Sequence, residues 1–193
     1  MMEIRIEGIE NLNQRLRDAE KACQMTAKRA VSKTATSVRA EWARAVSKEI
    51  ALGVGMIKDA IKVRKEGGGE ALIIRVDSRG SKKLGTKRSA RAIPIQTFKP
   101  RQTKTGVSVR IKKSAGRKKI KSAFITAMPG GHRGVFTRAK NAKRLPVKEL
   151  FTTAVEDVAS DTLPDMKQFA ARRLNEIFER QLDYELRRRG LLD

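Results

Sequence analysis

No acidic residue stands between Asp77 and Glu149. Within that interval lie 22 basic residues, from Arg79 to Lys148. The rest of the chain holds the other 22 of its 44 lysines and arginines against all 21 aspartates and glutamates. The formal charge of +23 is therefore carried almost wholly by the middle of the chain. A segment of this kind cannot neutralise itself. Packed into a compact core it would repel itself, so its side chains must spread over a surface and find a polyanion or an acidic protein as counterpart. The chain thus reads as a basic middle between two near-neutral flanks.

The patterns along the chain agree. Glu3 to Glu7 alternates as a short strand would, and Gly8 ends it. From Asn11 to about Leu52, apolar and small residues recur in steps of three or four: Leu12, Leu16, Ala19, Cys23, Ala27, Ala30, Val31, Thr34, Ala35, Val38, Trp42 and Val46. That spacing predicts a long amphipathic helix, capped by Asn11 or Asn13, with Cys23 and Trp42 in the core. Val54–Ala60 predicts a second, short helix. Ile61–Lys65 and Leu72–Val76 read as two strands joined by a turn at Gly67, Gly68 and Gly69. Ser78–Ala90 has no period and reads as a basic loop, solvated or ordered only on assembly. Ile93–Phe98 and Val107–Ile111 read as strands joined by the loop Lys99–Gly106, with Pro94 placing the first at an edge. Ser114–Lys119 reads as a turn.

Lys121–Phe151 follows as strand, turn, strand, loop and the opening of a helix at Glu149, Leu150 and Phe151. Ser122–Ala127 and Gly134–Thr137 are its strands, and Pro129, Gly130 and Gly131 its reversal. Arg144, Leu145, Pro146, Val147 and Lys148 read as a short extended piece, because the residue before a proline is pushed out of the helical region. Helix continues through Val155 and Val158. A last helix begins near Pro164 behind the cap Thr162, with Met166, Phe169, Ala170, Leu174, Ile177, Phe178 and Leu182 on its apolar face. Arg187, Arg188 and Arg189 sit at its negative end, and Gly190 at the cap position. The expected fold is α+β, an antiparallel sheet of five or six short strands flanked by a long N-terminal helix and a C-terminal helix. With 39% hydrophobic and 4% aromatic residues, the core should be thin and should finish its burial against neighbours.

Catalytic or metal chemistry finds little support. His132 is the only histidine and Cys23 the only cysteine; His132 lies in a turn with no acidic or cysteine neighbour in sequence, and Gly67–Gly69 lacks the spacing of a phosphate loop. Asp157, Asp161 and Glu176 belong to helix starts or exposed faces. The expectation is a protein that is not an enzyme and holds no cofactor or metal. One cysteine allows no internal disulfide, MMEIRIEGIENL lacks a signal-peptide core and no apolar run is long enough for a membrane. A cytoplasmic product is expected. The candidate contact residues are Lys82, Lys83, Lys87, Arg88, Arg117, Lys118 and Lys119, the cations of the two most basic loops, facing either DNA phosphates or an acidic protein. Phe98, Phe124 and Phe136 sit in strand patterns and read as core rather than as base-stacking platforms.

The run AFIT…GHRGVFTR…RLPVKELF, from Ala123 to Phe151, resembles the prophage minor tail protein Z family, the tail completion proteins of lambda-like long-tailed phages. AKRAVSKTA at Ala27–Ala35 and the basic middle fit the same family, and the resemblance covers nearly the whole chain. It implies one tail-completion domain over 1–193, with a helical part at 1–60, the basic sheet at 61–148 and C-terminal helices at 149–193. The implied role is structural: a homo-oligomeric ring subunit at the head-proximal end of the tail, needed for head–tail joining and DNA passage. Implied partners are further copies, the tail terminator, the tail tube, the head–tail connector and the phage DNA end. The implied location is the virion, with assembly in the host bacterial cytoplasm. The competing reading is a DNA-binding packaging accessory protein without sequence preference.

Overall fold

The computed structural model describes residues 9–66, 71–139, 145–152 and 154–192. Helix α1 spans Ile9–Glu49 and α2 spans Val54–Ala60. Ten short strands follow: β1 Ile61–Glu66, β2 Ala71–Val76, β3 Ile93–Pro94, β4 Arg101–Thr103, β5 Gly106–Val109, β6 Lys118–Lys121, β7 Ala123–Ala127, β8 Arg133–Arg138, β9 Val147–Glu149 and β10 Phe151–Thr152. Helices α3, Val155–Asp161, and α4, Leu163–Arg188, close the described chain. The class is α+β. The chain divides into two compact units, one of Met1–Val38, Arg64–Ile73 and Lys167–Asp193, the other of Arg39–Val63 and Ile74–Met166.

In the first unit, α1 buries Ala22, Thr26, Ala30, Thr34, Ala35 and Val38, and α4 buries Ile177 and Glu185. Lys33 Nζ donates to Gln181 Oε1 at 2.8 Å, while the Arg29 guanidinium donates to the Glu185 carboxylate. Arg189 lies 4.0 Å from Asp18. Partners thus descend α4 as they ascend α1, so the two helices pack antiparallel. The small residues of α1 let the backbones approach closely.

The second unit has the larger core. Trp42, Val46, Ile50 and Leu52 from the end of α1 and beyond meet Ile57 and Ile61, and are joined by Leu84, Ile93, Phe98, Val107, Val109, Val135 and Val155. The Trp42 indole N–H donates to Thr162 Oγ1 at 3.0 Å, which satisfies the one polar atom that this ring buries. Antiparallel pairs build three of the small sheets, β10–β3, β4–β5–β6 and β7–β8–β9; β1 and β2 form the fourth.

Several local expectations change. The single sheet of five or six strands becomes four sheets because the chain turns between them. Ser122, at φ 61°, separates β6 from β7, and Lys99, at φ 49°, ends a short 3₁₀ turn. Ile93–Phe98 is a strand only at Ile93–Pro94 and then the 3₁₀ turn Ile95–Phe98. The expected loop Lys99–Gly106 contains β4, and the expected turn Ser114–Lys119 ends inside β6. Glu149, Leu150 and Phe151 do not open a helix. Leu150 N–H donates to Val135 O at 2.8 Å and its carbonyl accepts from Ile95 N–H at 3.1 Å, so pairing on two sides holds this piece extended.

Cys23 is exposed, one position off the buried series Ala22, Thr26 and Ala30, whereas Trp42 is buried as expected. Leu16 is likewise exposed. The 78–90 loop is not a freely solvated one. Leu84 is fully buried, the Ser78 N–H donates to Glu156 Oε1 at 2.7 Å, Ser81 Oγ donates to Asp59 Oδ2 at 2.5 Å, and Thr97 Oγ1 donates to the Leu84 carbonyl at 3.0 Å. The strand expected at Glu3–Glu7 and the turn Gly67–Gly69 lie outside the described residues.

Candidate functional site

The basic middle falls in the second unit, and its few acidic neighbours are used at its margins. Asp77 binds Arg79 at 2.9 Å and lies 3.8 Å from Lys62. Glu156 lies 3.8 Å from Arg91. Glu149 meets the exposed His132, Nε2 to Oε1, at 2.9 Å. This last contact links positions 17 apart in sequence, so the turn histidine does have an acidic neighbour. The hydrogen bonds from the Arg79 side chain hold the Asp77 carboxyl at about 2, outweighing the opposing effect of burial, and the same pairing raises the Arg79 guanidinium above its ordinary value. The first cation of the block is therefore locked to the last acid before it.

The seven candidate cations are all exposed, and they fall on two different elements. Lys82, Lys83, Lys87 and Arg88 project from the anchored 78–90 loop. Its backbone is closed by Gly80 N–H to Lys87 O at 3.1 Å and Ala90 N–H to Lys87 O at 3.2 Å. The loop is therefore a fixed platform for four cations rather than a loose arm.

Arg117, Lys118 and Lys119 enter β6, where alternation divides them. In the β4–β5–β6 sheet, Arg101 pairs with Ser108 and Ser108 with Lys119, while Thr103 pairs with Gly106 and Gly106 with Lys121. Paired residues share a face. One face thus carries Arg101, Thr103, Ser108, Lys119 and Lys121. The other carries Val107 opposite Ile120, and Val109 opposite Lys118. Lys118 accordingly lines a cleft of about 220 Å³ with Val109, Ile111 and Thr152. Arg117 folds over the cationic face, its Nη2 donating to the Ser108 carbonyl at 2.6 Å and its Nε to Ser108 Oγ at 3.2 Å. Arg101 and Lys121, absent from the seven, belong with Arg117 and Lys119. The strand register that reveals them is not visible in composition.

Gly106 makes this sheet possible. Its φ is 154°, and a Cβ there would stand 2.2 Å from the Ile120 carbonyl oxygen. Among the described residues, no group of three or more His, Cys, Asp and Glu side chains is placed to hold a metal ion.

The family model described as prophage minor tail protein Z (GPZ) matches residues 6–190 of the 193. The chain belongs to the prophage minor tail protein Z family. No curated protein and no solved structure matches it. Membership makes it a phage tail structural protein, associated with the virion, and points to a role other than catalysis. The stretch that carried the resemblance is structural in this fold. Phe124 pairs with Phe136 and Ile125 with Val135 across β7 and β8, and Arg138 stacks over the Phe124 ring at 4.6 Å. Within RGVF, a Cβ on Gly134 would meet Glu149 Oε1 at 2.9 Å and the Phe136 ring at 3.0 Å. The minor tail protein Z residues that stand out in sequence thus build β7–β8–β9, and the cations sit on elements beside it in the chain.

Proposed function

We propose that this member of the minor tail protein Z family is a tail completion protein, a homo-oligomeric ring subunit at the head-proximal end of the tail that makes the tail competent for head–tail joining and DNA passage. The observation that carries the reading is the family match over residues 6–190, joined to a cationic surface whose seven candidate residues meet no acidic side chain in an ion pair among the described residues. Residues 1–193 then work as one tail-completion domain. Lys82, Lys83, Lys87, Arg88, Arg117, Lys118 and Lys119 meet the phage DNA end or acidic surfaces of neighbours. Those neighbours are further copies, the tail terminator, the tail tube and the head–tail connector. Assembly takes place in the host bacterial cytoplasm.

The test is deletion and complementation in the phage that encodes the chain. Without it, heads and tails should accumulate while infectious particles fall by orders of magnitude, and labelled chain should mark the head-proximal tip of isolated tails. Tails that lack the chain yet join heads and infect normally would overturn the reading. A packaging accessory that binds DNA without entering the tail would instead leave purified tails free of the chain.

A further inference from the structure

We propose that the cationic face of the β4–β5–β6 sheet binds the phosphate backbone of duplex DNA without regard to sequence. This deepens the tail reading by naming what one of its surfaces meets, and it rests on that reading only for where the DNA is encountered.

Four cations share this face: Arg101 on β4, Lys119 and Lys121 on β6, and Arg117 folded across β5. Lys119 and Lys121, two residues apart on one strand, are roughly 7 Å apart along it, and Arg101 lies two strands from Lys119, roughly 10 Å. Between them stand only Thr103, Ser108 and Gly106, so the middle of the face is small and polar. Among the described residues, no acidic side chain forms an ion pair with any of the four. Arg117 is fixed by Ser108 and braces the surface, while the other three side chains are exposed and free to reach outward.

The composition of the face separates DNA from an acidic protein. A stable protein interface centres on apolar and aromatic anchors that exclude water. This face has none, since Val107, Val109 and Ile120 point to the other side. A phosphate interface is polar, wet and strongly positive, as this one is. The absence of an aromatic platform also removes the stacking by which single strands are held, which leaves the duplex. Duplex DNA presents so dense a line of charge that cations at these spacings each find a phosphate.

The experiment measures binding of the full chain to a short duplex of arbitrary sequence by fluorescence anisotropy over a salt series. The triple variant Arg101→Gln, Lys119→Gln, Lys121→Gln removes three cations and keeps Arg117 as brace. A second variant, Lys167→Gln, Arg172→Gln, Arg180→Gln, removes the same charge from α4. The face variant should lose roughly three units of log–log salt slope and roughly a hundredfold in affinity at physiological salt. The α4 variant should keep most of both. Equal losses in the two variants would mean net charge alone and would overturn the proposal, as would an unchanged slope in the face variant. Poly-glutamate is the second probe. Wild-type chain that binds it, loses it in the face variant and ignores the duplex would assign the face to a protein partner and overturn the DNA assignment. Far-UV circular dichroism confirms that both variants fold. A chain found in tails but blind to duplex DNA sinks this inference alone. A chain that binds duplex through this face yet is absent from tails sinks the tail reading alone.

Discussion

Gly106→Ala tests the sheet on which the cationic face is built. The added methyl group would stand 2.2 Å from the Ile120 carbonyl oxygen, 3.0 Å from its carbon and 3.1 Å from Lys121 Cα. All three are backbone atoms of the partner strand, so no side chain can rotate away to make room. The φ of 154° adds a conformational cost that glycine avoids. Overpacking of this kind costs about 1–3 kcal/mol and an unfavourable backbone conformation about as much again, so the variant should lose about 3 kcal/mol. Relief requires β5 and β6 to part, which disturbs the pairing of Ser108 with Lys119 and of Gly106 with Lys121. Urea unfolding followed by circular dichroism measures the loss, with Gly130→Ala as control. Gly130 has nothing within 4 Å of an added Cβ and no positive φ, so that change should be nearly neutral. In thermal unfolding, the transition that includes β5 should fall by roughly 6–12 °C. A Gly106→Ala chain within about 0.5 kcal/mol of wild type would refute the close approach of β5 to β6, since ordinary surface changes already span that range.

Three further outcomes are expected. Glu185 is 1% exposed and sits among Arg29, Arg188 and Arg189, so Glu185→Gln should cost about 2 kcal/mol, below the usual figure for breaking a buried pair because Arg29 and Arg188 reach water; an unchanged urea midpoint would show that this network does not hold α1 to α4. Asp77 titrates at about 2 when folded against 3.8 ordinarily, so its stabilisation is complete above pH 4 and disappears as pH falls through 2. Asp77→Asn should therefore be less stable by about 1 kcal/mol at neutral pH, an allowance discounted for the solvent-exposed Arg79, and its acid unfolding curve should converge on the wild-type curve near pH 2; curves that stay parallel would dismiss the ion pair. Leu84 is fully buried, so Leu84→Ala should cost about 3 kcal/mol and speed tryptic cutting at Lys82, Lys83 and Lys87, and wild-type chain cut there at once would show the loop to be unanchored.

What the sequence revealed follows from how many residues each signal spans. The helices α1 and α4 run for 41 and 26 residues, enough turns for a stripe of period 3.6 to rise above local noise. Even there the phase slipped at the N-terminal end, although Ala30, Thr34, Ala35, Val38, Trp42 and Val46 are buried as the stripe predicts. The stripe through Cys23 lies one residue from the buried one through Ala22 and Thr26, a rotation of about 100° that alanine-rich patterning cannot distinguish. Strands of two to four residues offer only one or two alternations, too few to fix either boundary or face. The proline at 146 announces the extended Val147 and Lys148 of β9, but β10 is held extended by its pairing with β3, distant in sequence, and no local preference announces it.

For the site, the amount of charge was legible and its arrangement was not. Lys118 and Lys119 are adjacent and both exposed, yet they lie on opposite faces because Lys118 pairs with Val109 and Lys119 with Ser108. That difference is one of register, and register is set by the partner strand. The same reasoning brings Arg101 and Lys121 onto a surface with Lys119 although Arg101 is 18 positions from Lys119. A count of cations treats all 22 alike. Pairing removes Arg79 and Arg91 to Asp77 and Glu156, turns Arg138 onto Phe124, and spends Arg117 on Ser108. The remaining charge is not a uniform coat. Three of the cations that such pairing leaves, Arg101, Lys119 and Lys121, flank Gly106 and Ser108 of β5 on one face, and the proposed phosphate contact rests on that narrow strip.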